Sequence, residues 1–222
     1  SIPNPPFALV KRLDAAMRKA GIAVDGEPVP ERVSTEGKKS LSVAVTLSPT
    51  LAEIVKVTNH ESVNMYAEAL RKHLGREILG EGTWNAGSAV IRQFLDSIGC
   101  QPDQAVILDG SGLSSNNNIS ALMTVRLLVH MHNSSVSEPF IASLPMGAVS
   151  GTMKYYFRDE IFKGRVVAKT GTITSAKSFA GYFTTNSGRI IAFTTFANGF
   201  TVPSRKITDN MERVVREIMI KY

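Results

Sequence analysis

Residues 165–172 read Arg-Val-Val-Ala-Lys-Thr-Gly-Thr, and this run decides how the C-terminal half of the chain is interpreted. Its two valines favour extended backbone, because β-branched side chains pack well on a pleated surface. Lys169, Thr170 and Thr172 place a cation and two hydroxyls at the end of the run. Gly171 lacks the Cβ that would keep a peptide backbone from lying alongside the strand. The run is therefore predicted to be a strand beside which a carboxylate-ended peptide can bind.

The residues that follow predict a hairpin and then a helix. Residues 179–185 and 189–197 are rich in Phe, Ile and Thr, and the turn sequence Asn-Ser-Gly separates them. Pro203 begins an amphipathic helical pattern. Its apolar face carries Ile207, Met211, Val214, Val215, Ile218 and Met219. We therefore predict three adjacent strands in an antiparallel sheet that is closed by a C-terminal helix.

The first 132 residues predict mainly helices. Apolar residues at helical spacing predict helices over about 7–20, 50–58, 65–74, 84–98 and 120–132, with Gly75 ending the third. Strands are predicted at 41–47, where apolar residues alternate, and at 105–108, which form a short buried apolar run. Residues 21–40 are rich in Gly, Pro, Glu and Lys and predict a loop or a passage between domains. The chain is thus expected to be an α+β protein, an antiparallel sheet flanked by helices with a helical cluster.

Composition excludes several classes of protein. The 222 residues are 43% apolar, enough to bury a core in one domain or two small ones. The net charge of +6 is scattered at helical spacing and is not massed with aromatics, which predicts a solvated surface and no nucleic-acid site. Cys100 stands alone, so an internal disulfide and a thiolate metal site are excluded, and a buried small apolar side chain is expected. The four histidines form no ligand pattern, and neither a metal nor a cofactor is predicted.

A second polar feature lies between two of the predicted helices. The triplet Ser62-Val63-Asn64 follows the pattern Ser-x-Asn, which also occurs at 114–116 and 115–117. On a connector between helices, a hydroxyl and an amide could face a cleft. In the polar loop at 114–118, turn formation and helix capping already explain serine and asparagine. Capping of the next helix is the alternative for Ser62 as well, because serine is a favoured N-cap.

Together these motifs resemble one family. Lys-Thr-Gly on a hairpin-forming strand, 107 positions after Ser-x-Asn on a helical connector, resembles two signatures of penicillin-binding proteins and serine β-lactamases. The runs at 59–70, 82–84, 109–114 and 168–173 resemble the D-alanyl-D-alanine carboxypeptidase/endopeptidase group, the low-molecular-mass class C penicillin-binding proteins. The similarity extends from about residue 4 to the C-terminus. It implies a β-lactamase/transpeptidase-like α/β sandwich that is incomplete in this chain.

The resemblance also implies roles for three catalytic residues. Ser62 would relay a proton to the leaving D-alanine, held and polarised by Lys169. Asn64 would hydrogen-bond the substrate's peptide carbonyl and help to position the catalytic lysine. No metal or other cofactor takes part in this chemistry.

Substrate binding is implied for a second set of residues. Lys169, Thr170 and Thr172 would bind the terminal carboxylate of a peptidoglycan stem peptide ending in D-Ala-D-Ala. Gly171, between the two threonines, is counted with the substrate-binding residues. The N–H of Thr172 would be one oxyanion-hole donor. Ser111 and Ser114 lie in the run 109–114, which would form the floor or rim of the site. For Asp109, Gly110 and Gly112 a structural role is favoured over direct contact with the substrate.

The chain departs from the family pattern at two points. Acyl transfer needs a Ser-x-x-Lys nucleophile, and no serine in the 222 residues has a lysine three positions later. We therefore expect residues 1–222 to be the C-terminal portion of a penicillin-binding transpeptidase-like domain, with the nucleophile far upstream. Several relatives have an arginine where this chain has Ser115, and a serine cannot pair with an acidic stem-peptide side chain.

The resulting hypothesis is a serine-type D-Ala-D-Ala carboxypeptidase/endopeptidase that works through an acyl-enzyme. Its expected partners are the stem peptide, β-lactams bound by the full-length parent, and the missing N-terminal portion of the same protein. The family resemblance implies a periplasmic or other extracytoplasmic location. No signal peptide is found in this chain, and any targeting segment is expected upstream or already removed.

Two other functions remain open. A serine β-lactamase shares the signatures, although the run 109–114 favours the peptidase. A noncatalytic cell-wall peptide-binding module fits the chain taken alone, which is expected to be inactive without the nucleophile.

Overall fold

A computed structural model describes residues 4–31 and 45–222. The chain divides into two units, residues 1–47 and 48–222. The first unit contains helix α1, Pro5–Lys19, whose N-cap Asn4 accepts a hydrogen bond from the Phe7 N–H. This helix confirms the one predicted over 7–20.

Two predictions fall partly outside the described residues. The loop or passage predicted at 21–40 has no helix or strand over 21–31, and residues 32–40 lie outside the described part. The strand predicted at 41–47 is wrong where it can be seen, since 45–47 form no strand, and 41–44 are not described. Val45 and Leu47 are 77% and 85% exposed, so their alternation with smaller residues does not mark a buried face.

The second unit is built on a three-stranded sheet. Strands β1 (Val166–Ile173), β2 (Ala176–Thr184) and β3 (Ile190–Asn198) lie in sequence order, and each pair is antiparallel. Lys169 faces Ala180 across the first pair. The predicted sheet is confirmed.

Helix α7, Ser204–Lys221, covers one face of this sheet. The core between them contains Val166, Phe179, Phe183, Phe193, Met211, Val215 and Met219, together with Phe157 and Phe162 from the segment before β1. Burial of each such side chain stabilises the fold by about 1.5–3 kcal/mol. The apolar face predicted for the last helix is the buried one, except that Val214 is 47% exposed.

Helices α5 (Ala121–His132) and α6 (Ser137–Ser143) pack on the other face. Leu128, Leu144 and Tyr182 form the core there. The Tyr182 hydroxyl donates to the Leu128 carbonyl over 2.6 Å, and burial raises the pKa of Tyr182 to about 12. The sheet between two helical layers confirms the predicted α+β sandwich.

Helices α2 (Leu51–Glu61), α3 (Asn64–Leu79) and α4 (Trp84–Ser97) form the predicted helical cluster. Gly75 was expected to end α3, but the helix continues to Leu79, and its C-cap Gly80 takes φ +75°. A Cβ on Gly75 would lie 2.7 Å from the backbone nitrogen of Gly87 on α4. The glycine therefore permits close packing of two helices and is no stop signal.

The strand predicted at 105–108 is also wrong. Residue Val106 makes one isolated bridge with Asn118, and Val106 and Leu108 are 43% and 49% exposed. The backbone groups of Leu108 bind to side chains and not to another strand. The Leu108 N–H donates to Asn117 Oδ1, and the Leu108 carbonyl accepts from Arg71. The segment is extended because these side chains hold it, without a neighbouring strand. Cys100 is buried, as expected.

Residues 133–164 gave no clear prediction. Besides α6 they contain two short 3₁₀ turns, Gly151–Met153 and Glu160–Phe162, and a third such turn lies at Pro102–Gln104. Over the described ranges, no helix combines the length and hydropathy needed to cross a bilayer.

Candidate active site

Ser62 and Lys169, 107 positions apart, meet between α2 and β1. The Lys169 Nζ donates a hydrogen bond to the Ser62 Oγ over 2.9 Å. It also donates to the Thr170 carbonyl over 2.8 Å. An ammonium group has three N–H donors, so one is left for a ligand.

Ser62 holds an unusual backbone position. It is the C-cap of α2 with φ +54° and ψ +51°, in the left-handed region that non-glycine residues seldom occupy. Residue Val63, and not Ser62, is the N-cap of α3, and that helix start has no side-chain cap. The capping alternative for Ser62 is therefore wrong. A strained serine held by the surrounding structure is a common feature of functional sites.

The environment of Lys169 favours proton exchange. The side chain is half-buried, and burial lowers the pKa of Lys169 below its ordinary value of 10.5. None of the ion pairs found between described residues includes Lys169. A desolvated amine without a carboxylate partner gives up its proton more easily than a solvated one. It also attracts an anionic ligand.

Within residues 4–31 and 45–222, no backbone segment pairs with the outer edge of β1 beside this lysine. Backbone bonds from Gly147 N–H to the Val166 carbonyl and from Ala168 N–H to the Pro145 carbonyl cover its first half. Backbone groups alternate along an antiparallel strand, so the N–H and C=O of Thr170 and Thr172 point to the same edge. The covering segment ends before them. A peptide can therefore pair with the second half of β1.

A cavity of about 590 Å³ lies against this edge. Its lining brings together most of the residues predicted for the site: Ser62, Asn64, Ser111, Lys169, Thr170, Gly171 and Thr172. Gly110 and Gly112, for which a structural role was favoured, line it as well. Asn64 is the first residue of α3, and its side chain is exposed. Ser114 lines a neighbouring cavity of about 220 Å³ instead, with Asn117 and Phe196.

Gly171 is constrained from within the sheet. A Cβ added there would overlap the Ser178 Oγ on β2. The predicted reason for this glycine was access for a ligand backbone. The neighbouring strand gives a second reason, because a side chain would displace the Ser178 hydroxyl, which also lines the cavity.

The run 109–114 is held in place by two carboxylates. Asp109 accepts hydrogen bonds from the N–H groups of Gly112 and Ser114 at 2.7 and 2.6 Å. Glu68 on α3 accepts from the Gly110 N–H, the Ser111 N–H and the Ser111 hydroxyl at 2.9, 3.0 and 2.8 Å. The Ser111 hydroxyl proton is thus directed at the protein.

Both carboxylates are ionised more readily than usual. Partial burial acts to raise the pKa of Glu68, but hydrogen bonds from Ser111 and Gly110 and the charge of Arg71 outweigh it, so the pKa is lowered. The pKa of Asp109 is lowered in the same way, with bonds from Ser114, Asn117 and Gly112 overcoming desolvation. The loop is therefore bound by charge-assisted hydrogen bonds.

Glu68 and Arg71 were missed by the sequence analysis. Arg71 is 4% exposed and donates to Ser88 Oγ and to the Leu108 carbonyl at 3.1 and 2.8 Å. Asn64, Glu68 and Arg71 are spaced at 4 and 3 positions, which places them on one face of α3. That helical spacing was the only sequence signal for Glu68 and Arg71. It does not indicate that this face of α3 binds the run 109–114, some 40 residues later.

Thr152 was also missed. The Thr170 hydroxyl donates to Thr152 Oγ1 over 3.0 Å, behind the cavity wall. This residue lies in the segment that gave no clear prediction.

Comparison with known proteins now identifies the family. The sequence profile of the D-Ala-D-Ala carboxypeptidase 3 (S13) family matches residues 2–218. The chain belongs to the S13 family.

Two relatives with carboxypeptidase names are longer than the chain. It is 32% identical over 205 residues to a D-alanyl-D-alanine carboxypeptidase of Actinomadura sp. (strain R39), covering 90% of this chain and 38% of that protein. It is 31% identical over 216 residues to a carboxypeptidase DacB of Mycolicibacterium smegmatis, covering 92% of this chain and 46% of the relative. The chain spans less than half the length of both.

A solved structure shows the same fold. Penicillin binding protein 4 from Haemophilus influenzae, in complex with a β-lactam, superposes with a TM-score of 0.86 at 20% identity. The match covers 99% of this chain and 52% of that one. The helices and sheet of this S13 chain therefore correspond to about half of a penicillin-binding protein fold.

Proposed function

We propose that the full-length protein is a serine-type D-Ala-D-Ala carboxypeptidase/endopeptidase that acts on peptidoglycan stem peptides through an acyl-enzyme. The observation that carries this proposal is the 2.9 Å contact between Lys169 Nζ and Ser62 Oγ, at the open edge of a strand in an S13 chain. A cation and a hydroxyl meet there beside backbone groups that a peptide can pair with.

The substrate would lie antiparallel to the second half of β1. Its terminal carboxylate would face the Lys169 ammonium and the hydroxyls of Thr170 and Thr172, a set of donors suited to an anion. The outward N–H of Thr172 would donate to the carbonyl oxygen of the scissile bond as negative charge develops on it. Asn64, exposed at the start of α3, would hydrogen-bond the preceding peptide carbonyl.

Ser62 would carry the proton to the leaving group. Its oxygen accepts from Lys169, so its own hydrogen is free to point into the cavity. When the C–N bond to the last D-alanine breaks, Ser62 would donate that hydrogen to the amine nitrogen and recover one from Lys169. The burial that lowers the pKa of Lys169 makes this second transfer easier.

The nucleophile would come from the upstream portion of the same protein. The chain lacks Ser-x-x-Lys and covers 38% and 46% of the two carboxypeptidases described above, which supports this placement. The incoming serine would attack the carbonyl held at Thr172, and water would later hydrolyse the ester.

Ligands and location follow from the same proposal. The neighbouring structure holds a β-lactam, and we expect β-lactams to acylate the full-length protein by the same route as the stem peptide. Because its substrate is peptidoglycan, the enzyme would work in the periplasm or elsewhere outside the cytoplasm.

A second candidate is a noncatalytic cell-wall peptide-binding module. The absence of Ser-x-x-Lys from the 222 residues favours it. It predicts that a D-Ala-D-Ala peptide binds without turnover.

Mass spectrometry of the full-length protein after penicillin treatment separates the two candidates. The peptidase predicts an adduct of one penicillin on an upstream serine, together with release of D-alanine from a D-Ala-D-Ala peptide. The chain of residues 1–222 alone serves as control and should carry no adduct. A folded full-length protein with neither adduct nor D-alanine release would refute the peptidase.

A further inference from the structure

The segment 145–153, here called the 145–153 loop, connects both halves of the site. It is attached to β1 by the Ala168–Pro145 and Gly147–Val166 backbone bonds. At its other end Gly151, with φ +49°, lies so close to α2 that a Cβ would overlap the His60 carbonyl. The loop therefore touches α2 two residues before Ser62 and touches β1 beside Lys169.

Internal bonds make the loop rigid. The Met146 N–H donates to Ser150 Oγ at 3.0 Å, and the Ala148 N–H donates to the Met153 carbonyl at 3.2 Å. Met153 is fully buried in the core under the sheet. Thr152 lies between these anchors, half-buried, and so has little freedom to move.

From this position Thr152 contacts the strand that would hold the carboxylate. Its Oγ1 lies 3.0 Å from the Thr170 Oγ1. Among the described residues each of these two hydroxyls is the other's one side-chain partner. Thr170 lines the cavity, whereas Thr152 does not. The hydroxyl of Thr152 therefore reaches the cavity through its contact with Thr170.

We propose that Thr152 is a positioning residue for recognition of the substrate's terminal carboxylate, acting through the Thr170 hydroxyl. This inference rests on the proposed function. A hydroxyl has a single hydrogen, so when Thr170 donates to the carboxylate it can no longer donate to Thr152. The hydroxyl hydrogen of Thr152 then rotates about its C–O bond and is donated to the Thr170 oxygen, so that two O–H donors in series end on the anion.

This series of two hydroxyl donors strengthens carboxylate binding in two ways. A hydroxyl that accepts a hydrogen bond is a better donor, since hydrogen bonds in series polarise one another. The bond from a rigid loop also holds the Thr170 side chain in the rotamer that faces the cavity. Removing the Thr152 hydroxyl should weaken carboxylate binding while the chemical step is left alone, which raises KM with kcat nearly unchanged.

The test measures D-alanine release from diacetyl-Lys-D-Ala-D-Ala by the full-length protein. We expect Thr152→Val to raise KM roughly 3- to 10-fold, the net worth of one hydrogen bond. Thr152→Ser, which keeps the hydroxyl, should restore KM to near the wild-type value. Thr195→Val is the matched control: it makes the same change on β3 at a buried hydroxyl for which the described residues supply no hydrogen-bond partner, and KM should stay unchanged.

A double-mutant cycle with Thr170→Val separates positioning from general damage. If Thr152 acts through Thr170, Thr152→Val should add nothing in the Thr170→Val background. A KM effect of equal size in both backgrounds, or none in either, would overturn the inference while the proposed function stands. Should Thr152→Val fail to fold, Thr152→Ala in both backgrounds decides the same point. Wild-type protein that releases no D-alanine would refute the inference and the proposed function together.

Discussion

At the scale of single residues, the protonation state of Lys169 is subject to two opposing effects. A carboxylate ligand needs the lysine charged, whereas its burial favours the neutral amine and lowers the pKa. The folded state therefore holds this proton less tightly than the unfolded chain, whose lysine titrates near 10.5. Both the proposed proton transfer and the stability of the site depend on this difference.

Stability should vary with pH accordingly. Between the folded-state pKa of Lys169 and 10.5 the unfolded chain binds more protons, so the free energy of unfolding rises with pH. Lys169→Met removes this contribution. We expect the difference in unfolding free energy, wild type minus Lys169→Met, to become more positive as the pH rises toward 10.5 in urea titrations. A difference that stays level or falls would contradict the burial of the amine.

Glu68 gives a second prediction at this scale. Glu68→Ala removes three hydrogen bonds to the 110–111 backbone and hydroxyl and should cost about 1–3 kcal/mol of unfolding free energy at neutral pH. Glu77→Ala, an exposed glutamate on the same helix, is the matched control and should cost less than about 0.5 kcal/mol.

The Glu68 effect should also depend on pH. Its pKa is lowered in the folded state, so its contribution is present above 4.5 and is lost as the pH falls through the folded value. Chemical denaturation of both variants at neutral and at acid pH measures this. A Glu68→Ala cost that persists unchanged below the folded-state pKa would argue against the charge-assisted anchor.

At the scale of secondary-structure elements, close contact between α3 and α4 depends on glycine. Gly75→Ala would place a Cβ 2.7 Å from backbone atoms of Gly87 and Glu81, which cannot move as a side chain can. We expect a loss of about 1–3 kcal/mol in thermal or urea unfolding, although alanine is the better helix former. Gly82→Ala, whose Cβ would have nothing closer than 3.8 Å, should be nearly neutral. Equal effects of the two changes would refute the packing role.

The same scale shows which elements could be predicted from sequence. The hairpin and α7 were predictable because their patterns are local: alternation, a turn triplet, and a helical face. The segment 105–108 was not, because its extended backbone depends on bonds from Ser88 to Ile107 and from Arg71 to Leu108, 19 and 37 positions apart. Gly75 has the sequence signature of a helix end, and only the neighbouring helix explains its place inside α3.

Some residues of the candidate site could likewise be predicted from the sequence, and others could not. Lys-Thr-Gly and Ser-x-Asn could be recognised as motifs, and the structure places both against one cavity. Glu68, Arg71 and Thr152 belong to no motif that the sequence displays. Each acts on a partner between 18 and 43 positions away, so its function becomes visible only when the chain is folded.

At the scale of the whole molecule, the sheet has a second open edge. No strand of the described residues pairs with the outer side of β3, and Ile190 on that strand is 54% exposed. Unpaired strand edges favour association. We expect residues 1–222 expressed alone to self-associate, and to form a one-to-one complex when the proposed upstream portion is co-expressed. Light scattering that finds a monodisperse monomer with cooperative melting would contradict this.

The central claim is that the Ser62 hydroxyl and the Lys169 ammonium act as one unit. The most direct measurement is a kinetic double-mutant cycle in the full-length protein, with Ser62→Ala, Lys169→Met and the double variant compared for D-alanine release. We predict that Ser62→Ala lowers kcat by about 10²- to 10⁴-fold in the wild-type background and has almost no effect when Lys169 is already methionine. Losses that multiply in the double variant would contradict the claim, because they would show that the two groups act independently.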